Sequence, residues 1–106
     1  MINEEFIAKY ERITKAMNAL RQERRNLCRV MAEEHPINRL KGKLVSVHGG
    51  EPMYFDHLEI SSQYDYVRMA DVCGYAVKND GSMSRSMRKS FANIGRIEEE
   101  ILEITK

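Results

Sequence analysis

The stretch FIAKYERITKAMNALRQERRNLCRVM, residues 6–31, decides the fold, because its apolar residues recur at alternating intervals of four and three. These residues are Phe6, Tyr10, Ile13, Met17, Leu20, Leu27 and Met31. This spacing is the heptad pattern of an amphipathic helix that packs one stripe against a partner. Arg24 stands where another apolar residue is due. It either fixes the register of that packing or extends past its neighbours to water, and we favour the second interpretation.

Signals at both ends set the limits of this helix. Asn3 suits the N-cap position, and Glu4 and Glu5 then lie in the first turn, where carboxylates interact favourably with the helix dipole. Pro36 cannot continue a helix, and no glycine or proline stands between Asn3 and Glu34. The sequence therefore predicts a long helix within residues 1–35, spanning roughly 45 Å.

The C-terminal segment carries a similar pattern. Apolar residues again recur mostly three or four apart, at Met87, Ile94, Ile97, Ile101 and Ile104. That periodicity predicts a second helix over residues 84–105. Gly95 lies inside this helix, at an expected cost of up to about 1 kcal/mol relative to alanine.

Residues 43–80 have strand character. KLVSVHGGEP, residues 43–52, combines a β-branched run with a glycine pair, and MYFDHLEISS, residues 53–62, resumes the strand pattern, which together predict a hairpin. Apolar side chains recur on alternate positions after residue 66, which predicts one bent strand or two short ones. Asp56 and His57 are neighbours in the second strand, so we expect their side chains to point to opposite faces.

These elements predict an α+β fold in a single domain, residues 1–106. Two heptad-patterned helices would pack antiparallel, with a small antiparallel β-sheet of three to four strands inserted between them in α-β-β-β-α order. The first helix is longer than the second, so part of its apolar stripe needs another cover. Either the sheet or a second copy of the chain supplies that cover. We favour a homodimer, because exposed apolar surface on a soluble protein usually marks an interface.

The antiparallel packing would gather basic residues at one end of the molecule. Arg21, Arg25 and Arg29 recur every four residues, so each has a like charge where a helix favours an acid. The connecting segment and the second helix extend this set to a predicted basic pole of Arg21, Arg25, Arg29, Arg39, Lys41, Lys43, Arg85, Arg88 and Lys89. Aromatic anchors from the sheet would adjoin it, namely Tyr54, Tyr64 and Tyr66. Together these residues form the predicted partner-binding site.

Three interpretations of the basic pole remain open. In the first, its cations pair with carboxylates of the sheet, such as Asp56, Glu59, Asp65 and Asp71, and bind no ligand. In the second, they bind the phosphates of a nucleic acid, although a net charge of +1 and a pI of 7.8 are low for a dedicated binder. In the third, they dock onto an acidic protein surface, because the planar guanidinium engages carboxylates at two points.

Composition argues against several other classes. The apolar runs are far shorter than the roughly 20 residues that cross a bilayer, and the first residues lack the basic region of a signal peptide, so we expect a cytoplasmic protein. Cys28 and Cys73 lie far apart without CxxC spacing, so we expect reduced thiols. His35, His48 and His57 show no metal-ligand spacing. The sequence shows no nucleophile paired with a base and no phosphate-binding loop. We therefore expect no bound metal, no other cofactor and no catalytic activity.

Two general resemblances bear on function. The predicted order of helix, β segment and returning helix resembles the layout of prefoldin subunits, which implies a cochaperone. A small chain with a dense charged face is similar in style to phage-encoded inhibitors of host defence, which implies an inhibitory interaction. We therefore expect a small non-enzymatic binding protein, an accessory or inhibitory factor that docks its basic pole onto an acidic surface of a larger host protein or nucleoprotein. Direct nucleic-acid binding is the alternative, and a prefoldin-like cochaperone is a further one.

Overall fold

Helix α1, Ile2–Glu34, projects away from the rest of the molecule. The computed structural model describes residues 2–62 and 67–105, and in it every residue from Asn3 to Glu23 is exposed. The molecule measures 73 × 26 × 19 Å, and its longest dimension reflects this helix. The prediction of a long helix that ends before Pro36 is confirmed. No helix in the described ranges combines the length and the apolarity that spanning a membrane requires.

A 3-10 helix, Pro36–Leu40, joins α1 to the β-sheet. The Asn38 amide donates hydrogen bonds to the backbone carbonyls of Ala32 and His35, both at 2.9 Å, and so satisfies acceptors at and beyond the end of α1. His35 caps the 3-10 helix, because its Nδ1 accepts the backbone N–H of Ile37 at 3.0 Å. Ile37 is fully buried in the core. The C-terminal end of α1 is therefore held against the sheet, and the rest of the helix is not.

Five strands form one antiparallel sheet: β1 (Leu44–Val47), β2 (Met53–Glu59), β3 (Met69–Val77), β4 (Met83–Asn93) and β5 (Ile101–Glu103). Their order across the sheet is β4-β3-β2-β1-β5. After β4, a 3-10 turn, Ile94–Arg96, and the one-turn helix α2, Ile97–Glu100, lead into β5. The predicted hairpin of β1 and β2 is confirmed, since Val45 faces Met53 across it.

The core lies on one side of this sheet and is completed by the connecting segments. Its largest fully buried side chains include Phe55, Ile37, Met53, Ile97, Ile101, Val45 and Val72. The sheet curves, so that the end of β4 returns towards β1 and α2. His48 Nε2 lies 3.0 Å from the Phe91 carbonyl oxygen, and the Asn93 N–H donates to the Glu100 carboxylate at 2.6 Å. Among the described residues, α1 contributes only Ala32 to this core.

The prediction of a helix over residues 84–105 is wrong, because Met83–Asn93 is strand β4. Ser84, Ser86 and Ser90 lie on alternate positions among larger side chains, which is the two-residue period of a strand. Serine also favours helices only weakly. β3 offers β4 an antiparallel partner, with Cys73 facing Lys89 near its centre. Strand pairing therefore overrides the helical spacing over most of this segment.

The predicted architecture of two heptad helices packed antiparallel around three to four strands is wrong for the same reason. The observed order is one long helix, four strands, a short helix and a fifth strand. Within residues 2–62 and 67–105, no second helix runs along α1, so this part of the chain contains no coiled-coil pair. The layout that resembled prefoldin subunits is therefore absent from the described residues.

Candidate functional site

An apolar stripe along α1 is the most prominent exposed feature of the described structure. We define the α1 stripe as Phe6, Tyr10, Ile13, Met17, Leu20, Arg24, Leu27 and Met31. Its apolar members are largely uncovered, with exposed fractions of 64% for Phe6, 63% for Leu20 and 69% for Leu27. The rings of Phe6 and Tyr10 pack on each other with centroids 6.0 Å apart, but nothing else in the described chain covers them. Soluble monomers seldom expose contiguous apolar surface of this extent.

The residues that flank the α1 stripe differ between its two edges. By heptad position, one edge carries Lys9, Ala16, Glu23 and Val30, and the other carries Ile7, Thr14, Arg21 and Cys28. The middle of the stripe is therefore flanked by the small side chains of Ala16 and Thr14, which allow a second helix to approach closely. Lys9 and Glu23 lie one heptad to either side of Ala16, and Arg21 lies one heptad after Thr14.

A second feature is the groove between α1 and β2, with a volume of about 620 Å³. Its cationic wall consists of Arg25, Arg29 and Lys41, and its anionic wall includes Glu33, Asp56 and Glu59. The apolar lining comes from Cys28, Ala32, Leu58 and Ile60. Arg29 already pairs with Glu33 at 3.0 Å. The charges of this α1–β2 groove nearly balance, so it offers an anion no strongly positive surface.

A third feature is a polar cluster on the face of the sheet opposite the core. A bulge in β2 after Phe55 places His57 directly across from Cys73, and Glu59 across from Asp71. His57 Nδ1 lies 2.6 Å from Asp56, and its Nε2 lies 3.0 Å from Glu59. We define the His57 cluster as Asp56, His57, Glu59, Asp71, Cys73 and Lys89. The expectation that Asp56 and His57 point to opposite faces is wrong, because the bulge interrupts the strict alternation of side chains and the two groups are in contact.

Ion pairs in the His57 cluster link three adjacent strands. Lys89 on β4 lies 3.4 Å from Glu59 on β2 and 3.6 Å from Asp71 on β3. The Glu59 and Asp56 carboxylates raise the pKa of His57, and His57 in turn lowers the pKa of Glu59. Glu59 also raises the pKa of Lys89. The cluster therefore favours the charged form of each of these three groups.

Cys73 contributes the one buried group of the His57 cluster. Burial raises the pKa of its thiol to about 11, so the thiol stays protonated and unreactive at neutral pH. The ligand atoms of His57, Glu59 and Cys73 lie within 4.8 Å of one another, and N, O and S donors of this kind bind zinc. A tetrahedral zinc site needs roughly 3.5 Å between ligand atoms and a thiolate rather than a thiol. The cluster as arranged suits ion pairing between strands better than metal binding.

Titration of His57 should make stability depend on pH. His57 has a higher pKa in the folded chain than in the unfolded chain, where its pKa is about 6.5. Protonated His57 therefore stabilises the fold fully below pH 6.5, and this stabilisation is lost as the pH rises through the folded-state pKa. We expect the melting temperature to fall by about 2 °C between pH 6 and pH 8, because a side chain that is 39% exposed forms only weak ion pairs. Thermal unfolding of the wild type and His57→Gln across this range measures the difference. An equal pH dependence in both proteins would contradict the assignment to His57.

The nine cations of the predicted basic pole lie on separate surfaces. Arg25, Arg29 and Lys41 share the α1–β2 groove. Two others are Arg21, nearer the N-terminus of α1, and Lys43, just before β1. The remaining four are Arg39 in the 3-10 helix and Arg85, Arg88 and Lys89 on β4. The structure brings together three of the nine, because the second helix that would have gathered the others is a strand.

Several of these cations are paired within the chain. Arg39 donates two hydrogen bonds to Glu98, at 2.8 and 2.7 Å, which raises the pKa of Arg39 and lowers that of Glu98. Arg88 lies 2.5 Å from Glu51. Among the described residues, the cations of this set that form no ion pair are Arg21, Arg25, Lys41, Lys43 and Arg85. The first interpretation, in which the cations pair with carboxylates of the same chain, therefore applies to part of the set.

The predicted aromatic anchors contribute less than expected. Tyr54 lies on β2 opposite Tyr75, and its hydroxyl donates to the backbone carbonyl of Gly81, in the turn before β4. Tyr54 therefore holds a turn of its own chain. Tyr64 and Tyr66 lie outside the described residues, as does Asp65, which was a candidate partner for the cations.

Comparisons with known proteins give no relative. No family model, no curated protein and no solved structure matches this chain. The class defined by the fold and the site is an α+β protein with a curved five-stranded sheet and a projecting amphipathic helix.

Proposed function

We propose that this is a non-enzymatic binding protein, an accessory or inhibitory factor whose protein-binding surface is the exposed apolar face of α1. The observation that supports this is the exposure of the α1 stripe on a helix whose residues Asn3 to Glu23 touch nothing that buries them. A free helix of this length gains most of its stability by packing an apolar face. The stripe therefore fits a role in which a partner completes the packing.

Charges beside the α1 stripe favour a protein partner with acidic residues around an apolar centre. Arg21 flanks Leu20, and Arg25 follows one turn later near the α1–β2 groove. Arginine suits such positions, because its guanidinium engages carboxylates at two points while its stem covers apolar surface. We accordingly place the contact surface on α1, and the cations on β4 and in the 3-10 helix outside it.

Site-specific photo-crosslinking tests this proposal in the cells that produce the protein. With a benzophenone amino acid at position 20, inside the α1 stripe, we expect a covalent adduct to a protein after irradiation. The same group at Ala8, on the opposite face of the exposed helix, is the matched control and should give few adducts. Equal yields from the two positions, or no protein adduct from position 20, would show that the stripe is not a docking surface.

Direct nucleic-acid binding is the second candidate, because Arg25, Arg29 and Lys41 share one groove. The carboxylates of Glu33 and Asp56 line the same groove and repel phosphates. We therefore rank it below protein binding. A salt series with single-stranded and duplex DNA separates the two candidates, because binding through phosphates weakens as a steep power of salt concentration.

A further inference from the structure

We infer that the partner of α1 is a second copy of this chain, with the two helices antiparallel over residues 3–27. The inference rests on the proposed function, since it names the occupant of the same stripe. This helix pair forms between two chains and differs from the pairing within one chain that the sequence predicted. It spans about 37 Å, at 1.5 Å per residue.

The α1 stripe is self-complementary in one antiparallel register. Placing Ile13 against Met17 of the second copy also places Tyr10 against Leu20 of the second copy. The next layer places Phe6 against Arg24. The guanidinium of Arg24 can then lie over the face of the Phe6 ring, which is a favourable contact. By symmetry, each of these layers occurs twice in the pair.

The edges of the α1 stripe support the same register. In an antiparallel pair, residues of the edge that carries Lys9 and Glu23 face the same edge of the second copy. The register therefore places Lys9 beside Glu23 of the second copy, twice in the pair. On the other edge, the same rule places Arg21 beside Ile7 of the second copy, one helical turn from Glu11 of that copy. Ala16 and Thr14 meet their own equivalents at the centre, where small side chains let the helices approach.

Other arrangements lose this complementarity. A parallel pair in register would place Arg24 against Arg24, Lys9 beside Thr14 and Glu23 beside Cys28. An antiparallel pair displaced by one heptad would place Lys9 beside Val30, and Arg24 against Ile13. Like charges, or a charge packed against an apolar side chain within the stripe, disfavour these two helix pairs. Charge complementarity therefore selects the antiparallel register centred between Ile13 and Met17.

The fold leaves room for this pair. The register ends with Asn3 against Leu27 of the second copy, before Ala32, where the sheet buries α1. Leu27 itself is exposed and, with Val30 and Met31, borders a shallow depression of about 310 Å³ that extends to Pro36. The two sheets would then lie at opposite ends of the helix pair without overlapping.

Sedimentation equilibrium of the purified protein tests the inference. We expect the 12.4 kDa chain to sediment as a dimer at about 10 µM. Ile13→Glu places a carboxylate in both central layers and should weaken association at least about a hundredfold, because a buried unpaired charge is strongly disfavoured. Gln22→Glu adds the same charge on the opposite face of α1 and should change association by less than about threefold. Circular dichroism checks that each variant stays helical.

Charge exchange tests the register itself. Lys9→Glu should weaken association about tenfold, because it places like charges beside each other twice in the pair. Adding Glu23→Lys to that variant should restore association to within about threefold. A monomeric wild type at about 100 µM, or a double variant no tighter than Lys9→Glu, would overturn the inference. If the wild type is monomeric while position 20 crosslinks to a different protein, the inference fails and the proposed function stands.

Discussion

Replacing Gly74 by alanine is expected to destabilise the sheet severely. Gly74 lies on β3 opposite Phe55, and a Cβ there would collide with the backbone carbonyl oxygen of Tyr54 and come within 3.0 Å of the Met53 sulfur. A side chain can rotate away, but the β2 backbone cannot move without breaking its pairing. We expect a loss of at least about 3 kcal/mol, a large part of the 5–15 kcal/mol that holds a domain of this size together.

Gly95 provides the control for this substitution. A Cβ on Gly95 would meet only the Asn93 side-chain oxygen, at 3.4 Å. Gly95→Ala should therefore change the free energy of unfolding by less than about 0.5 kcal/mol. Urea titration of the wild type and both variants measures these free energies. A Gly74→Ala protein as stable as Gly95→Ala would show that β2 and β3 do not approach as closely as the structure describes.

The sequence was nearly sufficient for α1, because its local signals agreed except at the start, where α1 begins at Ile2 and Asn3 lies inside the helix rather than at its N-cap. Heptad spacing, acidic residues in the first turn and Pro36 after the end all specify one helix without reference to other parts of the chain. Residues 83–93 carried two signals that disagreed. The spacing of Met87 from the isoleucines beyond residue 93 favoured a helix, while the serine alternation favoured a strand, and the choice depended on whether β3 would lie alongside. That contact forms only in the folded chain, so spacing alone could not decide it.

Only part of the candidate site could be predicted from the sequence, because the rest depended on contacts between distant residues. The α1 stripe follows from periodicity and was visible in the sequence. The distribution of cations depended on pairings between distant residues, such as Arg39 with Glu98, which are 59 positions apart. The His57 cluster depended on a bulge in β2 after Phe55, and no residue there specifies a bulge by its type. Long-range pairings and local irregularities of this kind lie outside what spacing can predict.

The structure separates the part of the chain that stabilises the fold from the part that we propose for binding. The core draws on the sheet, the 3-10 helix and α2, and it takes only Ala32 from the described part of α1. Residues 3–23 can therefore change without loss of core contacts. Within the described residues, the apolar side chains of the stripe take no part in the buried core, which is the strongest reason to propose an interface for them.

A proline at Ala19 is expected to abolish the helix pair while leaving the sheet intact. Ala19 is exposed and lies off the α1 stripe, so the substitution removes no contact of the proposed interface. Proline inside a helix costs about 3 kcal/mol relative to alanine, and both helices of the pair carry it. It also bends each helix between Met17 and Leu20, about one turn from the centre of the overlap. We expect association to weaken at least about a hundredfold.

Two measurements on Ala19→Pro separate association from folding. Sedimentation equilibrium reports the helix pair. Thermal unfolding followed by near-ultraviolet circular dichroism reports the packing of the tyrosines, which include Tyr54 and Tyr75 of the sheet. The melting temperature of the sheet should stay within about 2 °C of a monomeric Ile13→Glu protein, because no core residue lies before Ala32 in the described chain. Ala19→Ser keeps the backbone N–H and should associate nearly as the wild type does. A proline variant that still dimerises would place the interface elsewhere, and one that also unfolds the sheet would show that the two parts fold as one unit.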